Sequence, residues 1–225
     1  MRVLSIAVVL GIVLLLPAAV SADTRCSPPN GFGVQLCESG IPTTALRETF
    51  KAQGSSRQER QNWCWAASIS MAFRHAGYEV SQTRIVEETI GVIADVPGQG
   101  YQIHEALDRS WVDDNGRQFQ VSARVYDLQT RQIELSNQDI IQELDAGRPL
   151  VYGAMGHATL LTAVKYFRNP MGQIQVVEGT VRDPWPGSPA RRTLSAAEMS
   201  PIFVATAEVV ALDGRRNRRS VSAPT

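Results

Sequence analysis

The chain of 225 residues is 44% hydrophobic and 20% charged, which suits one packed domain, at most two, and excludes wholesale disorder. Lys plus Arg and Asp plus Glu both number 22, a balance that excludes the basic excess of a dedicated nucleic-acid binder. The 3 cysteines are an odd number, so at least one has no intrachain partner.

Met1 and Arg2 precede an apolar run from Val3 to Leu16, then Pro17 and the small residues Ala18-Ala19-Val20-Ser21-Ala22. One positive charge, a core of about 7–15 apolar residues and a small-x-small site describe a secretory signal peptide over residues 1–22. The run is shorter than the ~20 residues of a spanning helix, so no integral membrane segment is expected after its cleavage. The expected location is secreted or periplasmic, an oxidising environment. Residues 23–56, with Pro28-Pro29-Asn30-Gly31 and no sustained periodicity, read as a leader or short prosegment. Cys26 and Cys37 flank that turn and form the natural disulfide pair, which leaves Cys64 free.

Periodic structure begins near Arg57. Asn62 is a good N-cap, and Trp63–Ala76 reads as a largely buried helix stopped at Gly77. Its apolar residues Trp65, Ile69, Ala72, Phe73 and Ala76 recur at intervals of three and four. Ser81 can cap a second helix to Ile90, and Tyr101 to about Trp111 suggests a third. Phe119–Tyr126 alternates like a strand, and Asn137 opens a short helix ending at Gly147. From Pro149 the character turns to β, with strands at Leu150–Ala154, His157–Phe167 and Ile174–Arg182. Asn169-Pro170-Met171-Gly172 makes the turn between the last two. Ser195 caps one helical turn before a final strand, Ile202–Leu212. Helices first and antiparallel strands later define an α+β domain over residues 57–213. Arg215, Arg216, Arg218 and Arg219 fall in a basic tail, residues 214–225, which reads as a disordered, solvated end.

With Asn62 as cap, Cys64 falls at the second helical position, where free N–H groups and the positive helix end stabilise a thiolate. A buried structural cysteine is the alternative for that position taken alone. His157 begins an apolar strand among small residues, Gly153-Ala154-Met155-Gly156-His157-Ala158, and an imidazole there can take the thiol proton. His75 is a weaker candidate, about 16 Å along the same helix from Cys64. His104 lies in a polar-looking helix. The spacings of these groups match no metal pattern, and no metal site is expected. Asp183, at the end of the strand Ile174–Arg182, can accept the imidazole N–H and set its tautomer. An Asp-Pro turn with no further role is the alternative for Asp183 alone.

Gln58-x5-Cys64-Trp65-Ala66-Ala67, Gly156-His157-Ala158 on a strand, and Asp183-Pro184-Trp185-Pro186-Gly187 together resemble the papain-like cysteine peptidases. The likeness is to compact bacterial members, related to bacteriocin-leader peptidases and to plant-pathogen effector proteases, and covers about residues 57–213. It implies a papain-like fold with the nucleophile Cys64 at a helix start, His157 as base and Asp183 as orienting carboxylate. It also implies an oxyanion-hole glutamine six residues before the cysteine, Gln58, with Gln61 as a nearer contender, and Trp185 as a shield over Asp183. The Cys64-to-His157 interval is shorter than the ~130–150 residues of the larger enzymes, and Asp replaces their usual Asn. The Cys-Gly-x-Cys-Trp signature of those enzymes is absent.

The function these readings support is hydrolysis of peptide bonds in protein or peptide substrates through an acyl-enzyme, by a monomer without metal or organic cofactor. Two other readings remain at this level. One is a cell-wall peptide amidase or transpeptidase with the same Cys-His pair; the other is a catalytically inactive papain-like binding module.

Overall fold

Residues 24–50 and 56–212 are described by a computed structural model; the proposed signal peptide and basic tail lie outside the described residues. The chain opens with β1 (Arg25–Cys26), β2 (Gln35–Gly40) and α1 (Thr43–Thr49). Four helical and strand segments follow: α2 (Cys64–His75), α3 (Gln82–Ile90), α4 (Gly100–Leu107) and β3 (Ser110–Val112). Then come β4 (Gln118–Ser122), β5 (Val125–Asp127), β6 (Gln132–Ile133) and α5 (Asn137–Asp145). The last part is strand-rich: β7 (Leu150–Ala154), β8 (His157–Arg168), β9 (Ile174–Arg182), β10 (Arg191–Thr193), β11 (Phe203–Ala205) and β12 (Glu208–Ala211). The α+β class read from the sequence is the class observed.

All strand pairings are antiparallel. The main sheet runs β1-β2-β8-β7-β11-β5-β6, with β9 on β8 and β10 on β9. β8 is its spine. Residues 157–161 of β8 pair with β7 and residues 163–168 pair with β2, while β9 follows its other edge. An irregularity between Leu161 and Ala163 marks the point where one partner hands over to the other. Every residue of β7 is buried, so this strand has cover on both faces. A second sheet, β12-β4-β3, stands apart. Phe73 of α2 meets its Trp111 and Phe119 with ring centroids 5.6 and 5.2 Å apart, which ties helix to small sheet.

α2 is the buried helix expected from its apolar spacing, and Ile69, Met71 and Phe73 are fully enclosed. It ends as its glycine dictates. Gly77 takes φ +91, so that Gly77 N–H reaches Arg74 O and Tyr78 N–H reaches Phe73 O. Ser81 caps α3 by accepting the Arg84 N–H.

Four expectations change. The segment read as a leader is part of the sheet: β2 pairs with six residues of β8, and Cys37, Ile41, Leu46 and Phe50 join the core. Its apolar residues are too widely spaced to show a period, and only the pairing with β8 reveals their common purpose. The expected Cys26–Cys37 disulfide is present and lies across the β1–β2 pair. The strand expected at Phe119–Tyr126 divides into β4 and β5, and Ile202–Leu212 divides into β11 and β12, in both cases between the two sheets. The two corners are bonded to each other: Arg124 N–H donates to Thr206 Oγ1 and Thr206 N–H to Arg124 O. Alternation continues through such a corner, so sequence alone reads one strand. Finally, the third helix stops at Leu107, because Trp111 belongs to β3 and its indole N–H donates back to Ala106 O.

Since residues 24–50 supply both an edge of β8 and part of the core, a chain shortened to start at Ser56 is expected to lose its cooperative thermal transition. Circular dichroism melting checks this; an unchanged transition would return the segment to a dispensable leader.

Candidate active site

Cys64 is the first residue of α2 rather than the second. Asn62 does not cap the helix; its N–H and its amide instead donate to Oδ1 and the carbonyl of Asp95, at 2.8 and 3.1 Å. Trp63 takes the cap position and makes no side-chain capping bond, in contrast to Ser81 on α3 and Ser136 on α5. The opening N–H groups of α2 therefore remain unclaimed by a cap, and the positive helix end faces the sulfur. Two indole N–H groups anchor this turn, Trp63 to Ala94 O at 2.8 Å and Trp65 to Val96 O at 3.2 Å.

His157 enters β8 directly from a two-residue turn in which Met155 and Gly156 have φ +52 and +74. Positive φ at both positions makes the tight hairpin that a right-twisted strand pair accepts. A methionine held there costs about 1–2 kcal/mol in conformational energy, and it places His157 opposite Ala154 in the register. Asp183 follows β9, whose Arg182 pairs with Leu160. The register thus delivers the carboxyl group to the ring, and Asp183 Oδ1 accepts from His157 Nε2 at 2.8 Å. Nε2 is taken, so Nδ1 is the ring nitrogen left for the hydrogen bond between His157 and the Cys64 sulfur.

Burial by itself raises the thiol pKa of Cys64. Hydrogen bonds from His157 and the Ala158 N–H, the imidazolium charge and the Trp65 N–H outweigh it, and the pKa ends below the ordinary value. Burial likewise opposes protonation of His157, but Asp183 and the Cys64 sulfur prevail and hold it at about 9. Desolvation pushes Asp183 upward; His157, Arg192 and the Trp185 N–H overcome it and keep the carboxyl far below the usual range. The two shifts run in the directions that favour a thiolate beside an imidazolium.

The remaining expected residues are arranged differently. The Gln58 amide nitrogen donates to Arg60 O and Gln61 O, at 2.8 and 2.7 Å, so both its N–H groups brace the loop ahead of α2. Gln58 Oε1 is buried without a partner among the described residues. Trp185 reaches Asp183 through its backbone N–H, at 2.8 Å, while the residue is 42% exposed and its ring lies beside Gly187. His75 is placed elsewhere, its Nε2 at 2.8 Å from Gly147 O.

Two arginines escaped sequence reasoning. Arg192 Nε donates to Asp183 Oδ2 at 2.6 Å, and its terminal nitrogens pair with Glu198 at 2.6 and 2.9 Å. Arg57 Nη1 donates to the carbonyls of Asp183, Trp185 and Ser188, at 3.1, 2.7 and 2.9 Å, and ties down the loop that carries the carboxyl group. No motif marks either residue, since each acts through a fold contact.

A free thiol at a helix start, set against a histidine–aspartate pair on the neighbouring antiparallel sheet, defines the cysteine-peptidase class. The sequence model of the Peptidase_C39 like family matches residues 50–207. The chain belongs to this family and is a papain-like cysteine peptidase of the C39 type. Comparison with curated proteins gave no match. The match begins at Phe50, just after α1, so β1, β2 and α1 lie outside the matched residues.

With the Cys64 pKa lowered and that of His157 raised, alkylation of Cys64 by iodoacetamide should rise to its plateau at a lower pH than that of an ordinary thiol. The same reaction in His157→Ala should climb steadily through pH 8–9, as for an ordinary thiol. Following the rate by mass spectrometry across pH 5–10 separates the two profiles, and matching profiles would refute the ion pair.

Proposed function

We propose that the protein is a secreted peptidase that cleaves peptide bonds by an acyl-enzyme route, with Cys64, His157 and Asp183 as its triad. The observation that carries this reading is the hydrogen-bonded series from the Cys64 sulfur through His157 to Asp183, at the mouth of a cavity. The Cys64 thiolate attacks the substrate carbonyl carbon, and the electron pair of the C=O bond moves onto oxygen. His157 Nδ1–H then protonates the departing amine as the C–N bond breaks, leaving a thioester on Cys64. Water attacks the thioester while His157 Nδ1 takes its proton, and the acid leaves as the C–S bond breaks. Asp183 holds the ring in the tautomer that keeps Nδ1 toward sulfur.

The backbone N–H of Cys64, at the uncapped helix start, would donate to the oxyanion. Gln58 would be the second donor, once it exchanges the carbonyl of Arg60 or Gln61 for the substrate oxygen. The Cys26–Cys37 bridge supports the secreted or periplasmic location, because such bonds persist in oxidising compartments. Monomeric action fits a triad supplied wholly by one chain.

Hydrolysis of denatured protein should vanish in both Cys64→Ala and His157→Ala while their thermal transitions persist. Turnover retained by His157→Ala would remove it as the base. Gln58→Ala discriminates further. As an oxyanion donor its loss lowers kcat about 10²–10³-fold with little change in KM; if it only braces the loop, the melting temperature falls and kcat at lower temperature survives.

A further inference from the structure

Arg192 of β10 stands opposite Val181 of β9, two residues before Asp183. The ladder runs on past β9, since the Asp183 N–H donates to Ala190 O at 3.0 Å. Arg192 and Asp183 are therefore diagonal neighbours on one face of the strand pair, within reach of a long side chain. Asp183 is 1% exposed, and both of its carboxyl oxygens are engaged. Oδ1 accepts from His157 Nε2 and from the Trp185 N–H, both at 2.8 Å, and Oδ2 accepts from Arg192 Nε at 2.6 Å.

Glu198 decides which donor Arg192 offers. Nη1 and Nη2 of Arg192 donate to Oε2 and Oε1 of Glu198, at 2.9 and 2.6 Å, and Nε–H is directed to Asp183. Such a two-point pair fixes the plane of the guanidinium. Glu198 is itself held in place. Its Oε2 accepts the Ser195 N–H and hydroxyl, at 2.8 and 2.7 Å, and its carbonyl accepts the Tyr152 hydroxyl at 2.6 Å. The guanidinium thus lies between two carboxylates, which share its charge and leave Asp183 negative toward the His157 ring.

Every group facing the Asp183 side chain through these bonds is a donor. An amide in its place has one acceptor oxygen and one NH2 group. Either orientation turns the NH2 toward an N–H, that of Arg192 on one side or those of His157 and Trp185 on the other. We propose that Arg192, its fork closed on Glu198, is a positioning residue of the triad: it fixes the plane of the Asp183 side chain and requires that side chain to be a carboxylate. The proposal rests on the reading of Cys64, His157 and Asp183 as the triad. Arg192 acts through Asp183, which in turn keeps His157 Nε2 engaged and Nδ1 toward the sulfur.

The test reverses one hydrogen bond. A glutamine carbonyl oxygen is as many bonds from the backbone as arginine Nε, so Arg192→Gln sets an acceptor against the NH2 introduced by Asp183→Asn. Two quantities are followed in both single variants and in the double variant: kcat and KM on a peptide substrate, and alkylation of Cys64 by iodoacetamide at mildly acidic pH. Arg192→Gln should lower kcat about 10-fold with little change in KM. Asp183→Asn should lower it about 10³–10⁴-fold. The double variant should exceed Asp183→Asn by about 10-fold in both readouts, a gain opposite in sign to the additive loss of a purely structural contact. A folded double variant no faster than Asp183→Asn would overturn the proposal. If the double variant shows no cooperative thermal transition, Glu198→Gln decides instead. It reaches Asp183 only through Arg192, and should slow alkylation about 3–10-fold at an unchanged melting temperature; an unchanged alkylation rate would overturn the proposal. Rapid alkylation of a wild-type protein that hydrolyses no peptide would remove the peptidase reading, and the alkylation comparison then judges Arg192 by itself.

Discussion

The antiparallel register of β8 against β9 is the constraint on which the site depends. Arg182 lies opposite Leu160, so the residue after β9 arrives beside the residue that opens β8. That places Asp183 2.8 Å from His157 without any loop having to find it. A slip of one residue in this pairing would turn the side chains of β9 to the opposite face and remove the carboxyl group from the ring. The same spine strand receives β7 and β2 on its other edge, and α2 packs on β7 and β8, which brings the helix start and its sulfur to the same end.

Electrostatics then works against desolvation at each of the three residues. Burial alone would neutralise the thiol, the ring and the carboxyl group. Each is instead shifted toward its charged form by the next, and the series ends on Arg192 and Glu198, with Glu198 itself held low by Arg192. The Asp183 carboxylate brings a charge to be balanced, and Arg192 balances it. The helix start adds unclaimed N–H groups at the sulfur end, so the arrangement is polarised from one end to the other.

The N-terminal segment, outside the matched residues, is built into the main sheet. β2 completes the edge of β8 that β7 leaves at Leu161, and Ile41 N–H bonds to Thr162 O at the handover. An unpaired edge there would expose a row of N–H and C=O groups. The Cys26–Cys37 bridge pins β1 to β2 and, with both other cysteines engaged, leaves Cys64 as the free thiol.

Much of this was legible in one dimension. Cys64 at a helix start, His157 at a strand start and Asp183 at a strand end were named from local pattern, because capping, alternation and turn residues act over a few positions. The odd cysteine count likewise singled out Cys64. Other features depend on contacts between distant segments and have no local signature. The two sheet-switching corners look like uninterrupted strands, since alternation is blind to which sheet a strand joins. Residues 24–50 look aperiodic because their burial is set by β8. Asn62 is a good cap by composition, but Asp95 claims it first. Arg192 is an ordinary charge in sequence, and only the packing of β10 on β9 gives it meaning. Local pattern names the residues able to carry the chemistry, whereas their meeting is a product of strand register and helix packing, which act across the chain rather than along it.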